Sequence, residues 1–458
     1  MTRNEGSLLG DELPRLVTDV PGPASRALGR RLRAVESRNL TRIADDWPIF
    51  WVEARGAAVR DADGNTFLDL TGGFAVAAAG HANPRVADAV AEQVRRLPHA
   101  LGDVHPAEIK VRLLERLAEL APGDLRISIL AGSGAEAVEA ALKTAVLRTG
   151  RAGVVAFTGA YHGLSYGALA ATWGPHFREP FREQLYQGIL FAPYPHPYRW
   201  QGGGDPLAGS LDAVRNLLER TPAGARIGAV LVEPIQGRGG IVVPPPGFLR
   251  GLRELCDRLG AVLVFDEVYT GFGRTGRWFA CEHEGVTPDL LVVGKALGGG
   301  LPLSAVVGTP GVMQAWPPST GEAIHTSTFL GNPVACAAAL AHLEEISERD
   351  LVERAGRLGR RLRERLDDWV ARYAAVGEVR GVGLLQGVEL VADRASRAPA
   401  SELAGRLVLA ALRRGILLLS EGPAANVLAF SPPLVITERQ LDHALTQIEH
   451  ELARSLSP

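Results

Sequence analysis

From about residue 127 to residue 310 the chain repeats one pattern: a short β-branched run, apolar throughout, followed in several cases by a stretch with helical spacing. The runs are Ile127–Leu130, Val154–Phe157, Ala229–Glu233, Val262–Asp266, Leu290–Gly294 and Ser304–Gly308. Glu136–Leu147, Ser210–Arg220 and Gly247–Leu259 carry the helical spacing between them. A strand with one wet face alternates polar and apolar side chains. These runs do not alternate, so both of their faces are expected to be covered. That requirement selects an α/β fold with a mostly parallel central sheet flanked by helices.

The flanks read differently. Ile49–Glu53, Ala58–Arg60 and Phe67–Leu70 are expected as short strands around a turn at Asp61–Gly64. Pro84–Arg96 and Ala107–Leu120 have helical periodicity, and a long amphipathic stretch runs from Ala335 to about Tyr373. The C-terminal part mixes strands (Leu384–Leu390, Val427–Phe430) with helices (Glu402–Arg413, Glu438–Leu452). The first 25 or so residues read as a loose arm. Arg30-Arg31 is followed by no apolar run, which argues against a secretion signal. The expected division is an N-terminal arm and part of a small domain over residues 1–80, and a large α/β domain over 81–335. Residues 336–458 complete the smaller α+β domain, so that both chain ends build it.

With 458 residues the chain is long enough for two or three domains of roughly 150 residues each. A net charge of -2 provides no global field for nucleic acid or an anionic membrane surface. No apolar run reaches the roughly 18 residues that would span a bilayer. Cys256, Cys281 and Cys336 are too scattered for a disulfide framework or a paired-cysteine zinc site, so a reducing, cytoplasmic setting is expected. Lysine is scarce: Lys110, Lys143 and Lys295 are the only three. Any chemistry that needs an amine therefore has three candidates.

Lys110 and Lys143 fall within amphipathic helical patterns and read as surface or ion-pair residues. Lys295 ends an apolar strand, where a lysine is disfavoured unless it is paired or covalently employed, and where burial lowers its pKa as a Schiff-base nucleophile requires. Asp266-Glu267 ends another such strand, at the edge where ligands of parallel sheets collect; a satisfied core acid is the alternative there. Ala131-Gly132-Ser133-Gly134-Ala135-Glu136-Ala137 leads from a strand into a helix. Its small residues and the helix N-terminus suit a phosphate, although an ordinary strand-to-helix turn fits the spacing equally well. Gly271-Phe272-Gly273-Arg274-Thr275-Gly276 matches the dinucleotide fingerprint letter for letter. It opens no clean helix and has no acid about 20 residues on, so it reads as a turn-rich loop. An anion cradle, an acid and an amine are together the parts that hold pyridoxal phosphate, and Tyr161-His162-Gly163 supplies an aromatic face for its ring.

An ordered set of motifs extends this reading from about residue 47 to the C-terminus. It comprises Gly72-Gly73-Phe74-Ala75-Val76 with Gly80-His81, Ser133-Gly134-Ala135-Glu136-Ala137, Gly159-Ala160-Tyr161-His162-Gly163, Glu233-Pro234-Ile235-Gln236-Gly237 and Asp266-Glu267-Val268. It continues through Gly271–Gly276, Pro288-Asp289 with Lys295, Thr326-Ser327-Thr328-Phe329 with Gly331-Asn332-Pro333, and Arg380-Gly381. In this set the sequence resembles the class III (ω-amino acid) aminotransferases of fold type I, those acting on 4-aminobutyrate and ornithine in particular. The resemblance implies the fold type I architecture of pyridoxal-phosphate-dependent transferases. It also implies transfer of an amino group from an amino acid, ω-amino acid or amine donor to a 2-oxo acid such as 2-oxoglutarate or pyruvate.

By that resemblance Lys295 forms the Schiff base with the cofactor and then shuttles the substrate proton, and Asp266 keeps the pyridine nitrogen protonated. Ser133, Gly134 and Ala135 would hold the phosphate, and Tyr161, with His162 beside it, would stack on the ring. Glu233 and Val268 would line the cofactor. Thr328 would reach the phosphate from a neighbouring subunit, which implies a homodimer with shared sites. Arg380 would grip the substrate carboxylate, and Phe74 would line the substrate site near the dimer interface. For Glu233 and Phe74 a packing or loop-fixing role is the alternative.

Two positions depart from the family pattern. Many members carry a glutamate directly after Gln-Gly, where it pairs with the carboxylate-gripping arginine. Here that position is Arg238. Arg238 is expected either to bind a second carboxylate or to turn to an acid such as Glu421. Position 269 is Tyr where close members often have Gln beside the cofactor. The same scaffold also serves racemases and epimerases, and a non-catalytic binding or assembly role is the alternative from another class.

Overall fold

The structure, a computed structural model, describes residues 10–220 and 226–456. The first nine residues of the expected N-terminal arm lie outside the described residues. The chain first forms strands β1 (Trp51–Arg55), β2 (Ala58–Asp61) and β3 (Thr66–Asp69) as an antiparallel meander. Seven strands then build the central sheet: β4 (Ile127–Ala131), β5 (Gly153–Phe157), β6 (Ile189–Ala192), β7 (Ile227–Val232), β8 (Val262–Asp266), β9 (Leu290–Val293) and β10 (Ser304–Gly308). Their order across the sheet is β4-β10-β9-β8-β7-β5-β6. Only β10 runs against its neighbours β4 and β9; all other neighbouring pairs are parallel. β7, β8, β9 and β10 are buried along their whole lengths, which is why their sequences do not alternate.

The C-terminal strands are β11 (Val376–Val382), β12 (Leu385–Asp393), β13 (Ala398–Pro399), β14 (Ile416–Leu417), β15 (Leu419–Glu421) and β16 (Val427–Phe430). β14 pairs in parallel with β3, so the two ends of the chain share one sheet. The other strands form the sheet β11-β12-β16-β15, with β13 beside β12.

Local chemistry sets the element ends. Ser133 caps the helix Gly134–Thr149 by accepting from the Glu136 amide, and Gly150, at φ 64°, ends it. Asn83 caps Pro84–Arg96, with Pro84 in the first turn and Arg95 and Arg96 in the last. The long stretch expected from Ala335 to Tyr373 is instead two helices, Pro333–Glu348 and Leu351–Arg372, broken where Asp350 turns to φ 48°. Arg30 and Arg31 lie in a helix, Pro23–Val35, that begins where the expected loose arm ends. β6 was not anticipated, because Ile189–Ala192 is a four-residue edge strand wedged between Gly188 and Pro193.

One segment is wound the wrong way. Gly72, Gly73, Phe74 and Ala75 have φ of 56°, 58°, 61° and 64°, a left-handed turn that L side chains rarely adopt. Asp69 holds it, accepting from the Thr71 amide at 2.7 Å, the Thr71 hydroxyl at 2.6 Å and the Gly73 amide at 3.0 Å, and it also meets His81 Nε2 at 2.7 Å. A Cβ on Gly72 would meet the Ser431 carbonyl oxygen at 2.6 Å, so glycine is required there on space as well as on φ. The turn packs against Lys295–Gly298 and so frames the site described next.

Candidate active site

β4, β5, β7, β8 and β9 all point the same way across the sheet, and their C-terminal ends open on one cavity of about 340 Å³. Gly134, Ala135, Tyr161, His162, Glu233, Arg238, Asp266, Val268 and Lys295 line it, together with Gly163, Leu164 and Tyr269. Residues scattered over 160 positions thus meet because each follows, or ends, a strand of one sheet.

Asp266 closes β8 and is buried. Its Oδ2 lies 2.7 Å from His162 Nδ1, and its Oδ1 accepts from the Val268 amide at 3.0 Å. The next residue is Glu267, also an acid, with another fate. Its carboxylate accepts from the Ala280 and Cys281 amides at 2.6 and 2.8 Å and from Thr270 Oγ1 at 2.8 Å, so it is a satisfied core acid. Alternation along the chain end sends one acid to the cavity and its neighbour into the protein.

Lys295 follows β9, the strand beside β8, and enters a tight turn at φ 45°. Burial pushes its ammonium below the usual lysine range, against the opposing pull of Asp266 and Glu233. Its Nζ stands 4.6 Å from the centre of the Tyr269 ring, and the Tyr269 hydroxyl lies 3.3 Å from Ser431 Oγ. The other lysines are elsewhere. Lys110 donates to the Gly102 carbonyl at 2.7 Å and Lys143 meets His325 Nδ1 at 3.1 Å, and neither makes an ion pair among the described residues.

The cradle at the start of Gly134–Thr149 offers backbone amides and a positive helix end. A Cβ on Gly134 would come 3.2 Å from Val268 Cγ1, so glycine lets the helix start lie close against Val268 on the cavity wall. Gly163, at φ 123°, is equally constrained, because a Cβ would strike that of Ala135 at 2.6 Å. Ser133 stands outside the lining, and its hydroxyl oxygen is engaged as the helix cap.

Glu233 does more than line the cavity. Its Oε1 accepts from the Tyr161 amide at 2.9 Å and its Oε2 from the Gly237 amide at 3.0 Å, pinning two loops to the end of β7. Burial raises its carboxyl from 4.5 to about 7. The folded protein therefore binds this proton more tightly than the unfolded chain does. The resulting stability is fully present below pH 4.5 and is lost as pH rises through about 7. Replacing Glu233 with Gln is expected to flatten that part of the melting-temperature profile, measured by calorimetry in overlapping buffers. An unchanged profile would contradict the assignment.

Arg380 lies outside the cavity lining, buried in an ionic cluster that the sequence did not reveal. Its Nη1 donates to Glu378 at 2.6 Å and to Glu389 at 2.5 Å, while Nε and Nη2 donate to the Gly240 carbonyl at 2.9 and 2.7 Å. Arg199 Nε also donates to Glu389, at 2.5 Å. Truncating Arg380 to Ala would strand two carboxylates, and we expect a loss of about 3 to 5 kcal/mol in denaturant unfolding. A residue whose main task is to meet substrate would instead leave stability almost unchanged. Phe74, on the left-handed turn, is 51% exposed, and Thr328 is exposed; neither lines the cavity. The Gly271–Gly276 motif is a loop, as expected. Its Arg274 is buried and donates to the carbonyls of Leu384 and Pro432.

A mostly parallel sheet with a lysine, an acid and an anion cradle at one edge defines a fold type I pyridoxal-phosphate enzyme. The family model for class III aminotransferases matches residues 41–452, and the chain belongs to that family. It is 40% identical to a 4-aminobutyrate aminotransferase of Mycobacterium tuberculosis over 94% of this chain and 96% of that protein. It is 35% identical to an alanine/serine racemase of Pyrococcus horikoshii over 97% of this chain and 94% of that one. Among solved structures, a thermostable (S)-enantioselective omega-transaminase from Thermomicrobium roseum superposes with a TM-score of 0.87. It is 31% identical, over 94% of this chain and 99% of that one. The protein is thus an enzyme of pyridoxal-phosphate-dependent amino transfer. Among the described residues, no helix is long and apolar enough to cross a membrane.

Proposed function

We propose that this cavity transfers an amino group from an amino acid, ω-amino acid or amine to a 2-oxo acid, with Lys295 and Asp266 as the catalytic pair. The observation that carries this is the meeting of both side chains in one cavity with the glycine cradle at a helix start. Pyridoxal phosphate, when bound, supplies an aldehyde to carry the amino group and a ring that accepts an electron pair. Gly134 and Ala135 would hold its phosphate by their amides, with Tyr161 and Val268 against the ring. Asp266, its carboxylate oriented by His162 and the Val268 amide, would hold a proton on the ring nitrogen of that cofactor. Lys295 Nζ would take the proton from the substrate carbon and deliver it to the carbon that the cofactor contributes, on the far side of the shared nitrogen; a lowered pKa keeps this amine neutral at lower pH than a free lysine. Glu233 keeps the Tyr161 loop in place.

The same reading extends to assembly. We propose a homodimer in which Thr328 and Phe74 serve the neighbouring site. Support comes from exposed apolar side chains at and beside these residues: Phe74 is 51% exposed and Phe329, next to Thr328, 70%. The organisation proposed with it is an arm and part of a small domain to residue 80, a large domain to 335 and the remaining small domain thereafter. A second reading, racemisation, is favoured by the 35% identity to the alanine/serine racemase. A panel of amino donors, each offered with pyruvate and with 2-oxoglutarate, tests the proposal. Formation of a new amino acid supports it, and loss of optical purity without exchange supports the racemase.

A further inference from the structure

Lys295 enters the cavity with an amine that has one neighbour of note. Among the described residues its Nζ makes no hydrogen bond and no ion pair; it stands over the face of the Tyr269 ring, 4.6 Å from the ring centre. The charged groups around it are engaged elsewhere. Asp266 is held by His162 and the Val268 amide, and Glu233 by the Tyr161 and Gly237 amides. Arg238 pairs loosely with Glu421, Nε to Oε2 at 3.8 Å. Burial holds the ammonium below the usual lysine range; Asp266, Glu233 and Glu421 pull the other way, and Arg238 adds to the fall.

The ring is fixed by packing and by one hydrogen bond. A Cβ on Gly237 would meet its carbons at 3.0 to 3.3 Å, so the ring already lies close against the chain there. Its hydroxyl is 3.3 Å from Ser431 Oγ, on the residue that follows β16. Ser431 gives its one hydroxyl proton to the Thr71 carbonyl at 3.0 Å, so it accepts from Tyr269. The Tyr269 hydroxyl is thereby committed, and what the lysine meets is the ring face.

We propose that the Tyr269 ring face is where the Lys295 ammonium rests, and that Tyr269 is a positioning residue that steadies the amine while it carries the proton. The inference rests on the reaction proposed above and adds a residue to it. The face of an aromatic ring carries partial negative charge, so it attracts an ammonium far more than a neutral amine. A carboxylate in the same place would hold the ammonium harder and keep back the proton that it must deliver. A ring face gives a weaker hold, which the amine can leave on each cycle.

The scarcity of lysine makes the test direct. Protein grown on lysine carrying carbon-13 at Cε has three labelled residues, and Lys295→Ala identifies the signal of one of them. Loading with pyridoxamine phosphate, whose amine cannot condense with a lysine, keeps Lys295 free, and a pH titration followed by NMR gives its proton affinity. Tyr269→Leu is expected to lower that affinity roughly two- to thirtyfold, whereas Tyr269→Phe, which keeps the face and loses the Ser431 bond, should stay within about twofold of the original. Oxo-acid formation in a single turnover should fall with leucine and recover with phenylalanine. The Lys110 and Lys143 signals report whether each variant is folded. If the leucine variant is not, pentafluorophenylalanine at position 269 keeps the shape, reverses the charge of the face, and should give the same fall. An unchanged or higher proton affinity without the negative face, an unchanged rate with leucine, or a phenylalanine variant that behaves like the leucine one overturns the proposal. A titration that depends on the ring in a protein that forms no oxo acid would retire the proposed reaction and leave the lysine–ring contact standing. Oxo-acid formation with a titration indifferent to the ring would do the reverse.

Discussion

Replacing Lys295 with alanine is expected to lower single-turnover oxo-acid formation from a saturating donor by roughly 10⁴-fold or more, the loss of both a nucleophile and a proton carrier. No other described group can substitute. The remaining lysines are outside the cavity, one on the Gly102 carbonyl and one on His325. The cavity acids are already engaged: Asp266 with His162 and Glu233 with two backbone amides. Stability should hold or rise slightly, since the substitution removes a desolvated cation. Adding a small primary amine such as methylamine to the variant should restore part of the rate, because the proton carrier is then supplied from solution. A variant of unchanged rate, or one that lost activity through unfolding, would break the assignment of Lys295 as the proton carrier.

Asp266→Asn is the second large effect, roughly 10³- to 10⁴-fold in rate. The amide is nearly isosteric. Its oxygen can still accept from the Val268 amide, so the end of β8 should keep its shape. What disappears is the negative charge that faces the cavity beside His162. The expected signature is a fall in turnover with little change in melting temperature. A fall confined to substrate affinity would mean that Asp266 positions the occupant but does not stabilise charge. The contrast with Glu267 is informative. Its carboxylate accepts three hydrogen bonds from the protein, and Glu267→Gln should cost stability first and activity second.

How much of this was legible in the sequence follows from what each residue's role depends on. Strands apolar on both faces announced the central sheet, because burial on two sides leaves a composition and not merely a spacing. Lys295 and Asp266 were legible for a related reason: a charge at the end of such a strand has few places to go other than a ligand site. Glu233 was seen as a lining residue, but its two amide partners depend on loops that only the folded chain brings together. The cluster around Arg380 was hidden altogether. Glu378 and Glu389 lie on paired strands and Arg199 is far away in sequence, so no local pattern marks them as partners. β6 and the short β13–β15 strands escaped because two to four residues cannot display a period. The kink at Asp350 escaped because helical spacing continues on both sides of it. Arg238 stood out as a departure from a family pattern, yet its weak hold on Glu421 is a matter of ångströms that no sequence states.

The central claim is that this cavity moves an amino group and that Lys295 carries the accompanying proton. The most direct test mixes the cofactor-loaded enzyme with one optically pure amino donor in deuterated water, with no oxo acid present, and follows products over a single turnover. The account predicts one equivalent of oxo acid per active site, with the donor's nitrogen retained on the protein–cofactor complex, and neither product in Lys295→Ala. Deuterium at the donor's α-carbon with loss of optical purity and no oxo acid would contradict it.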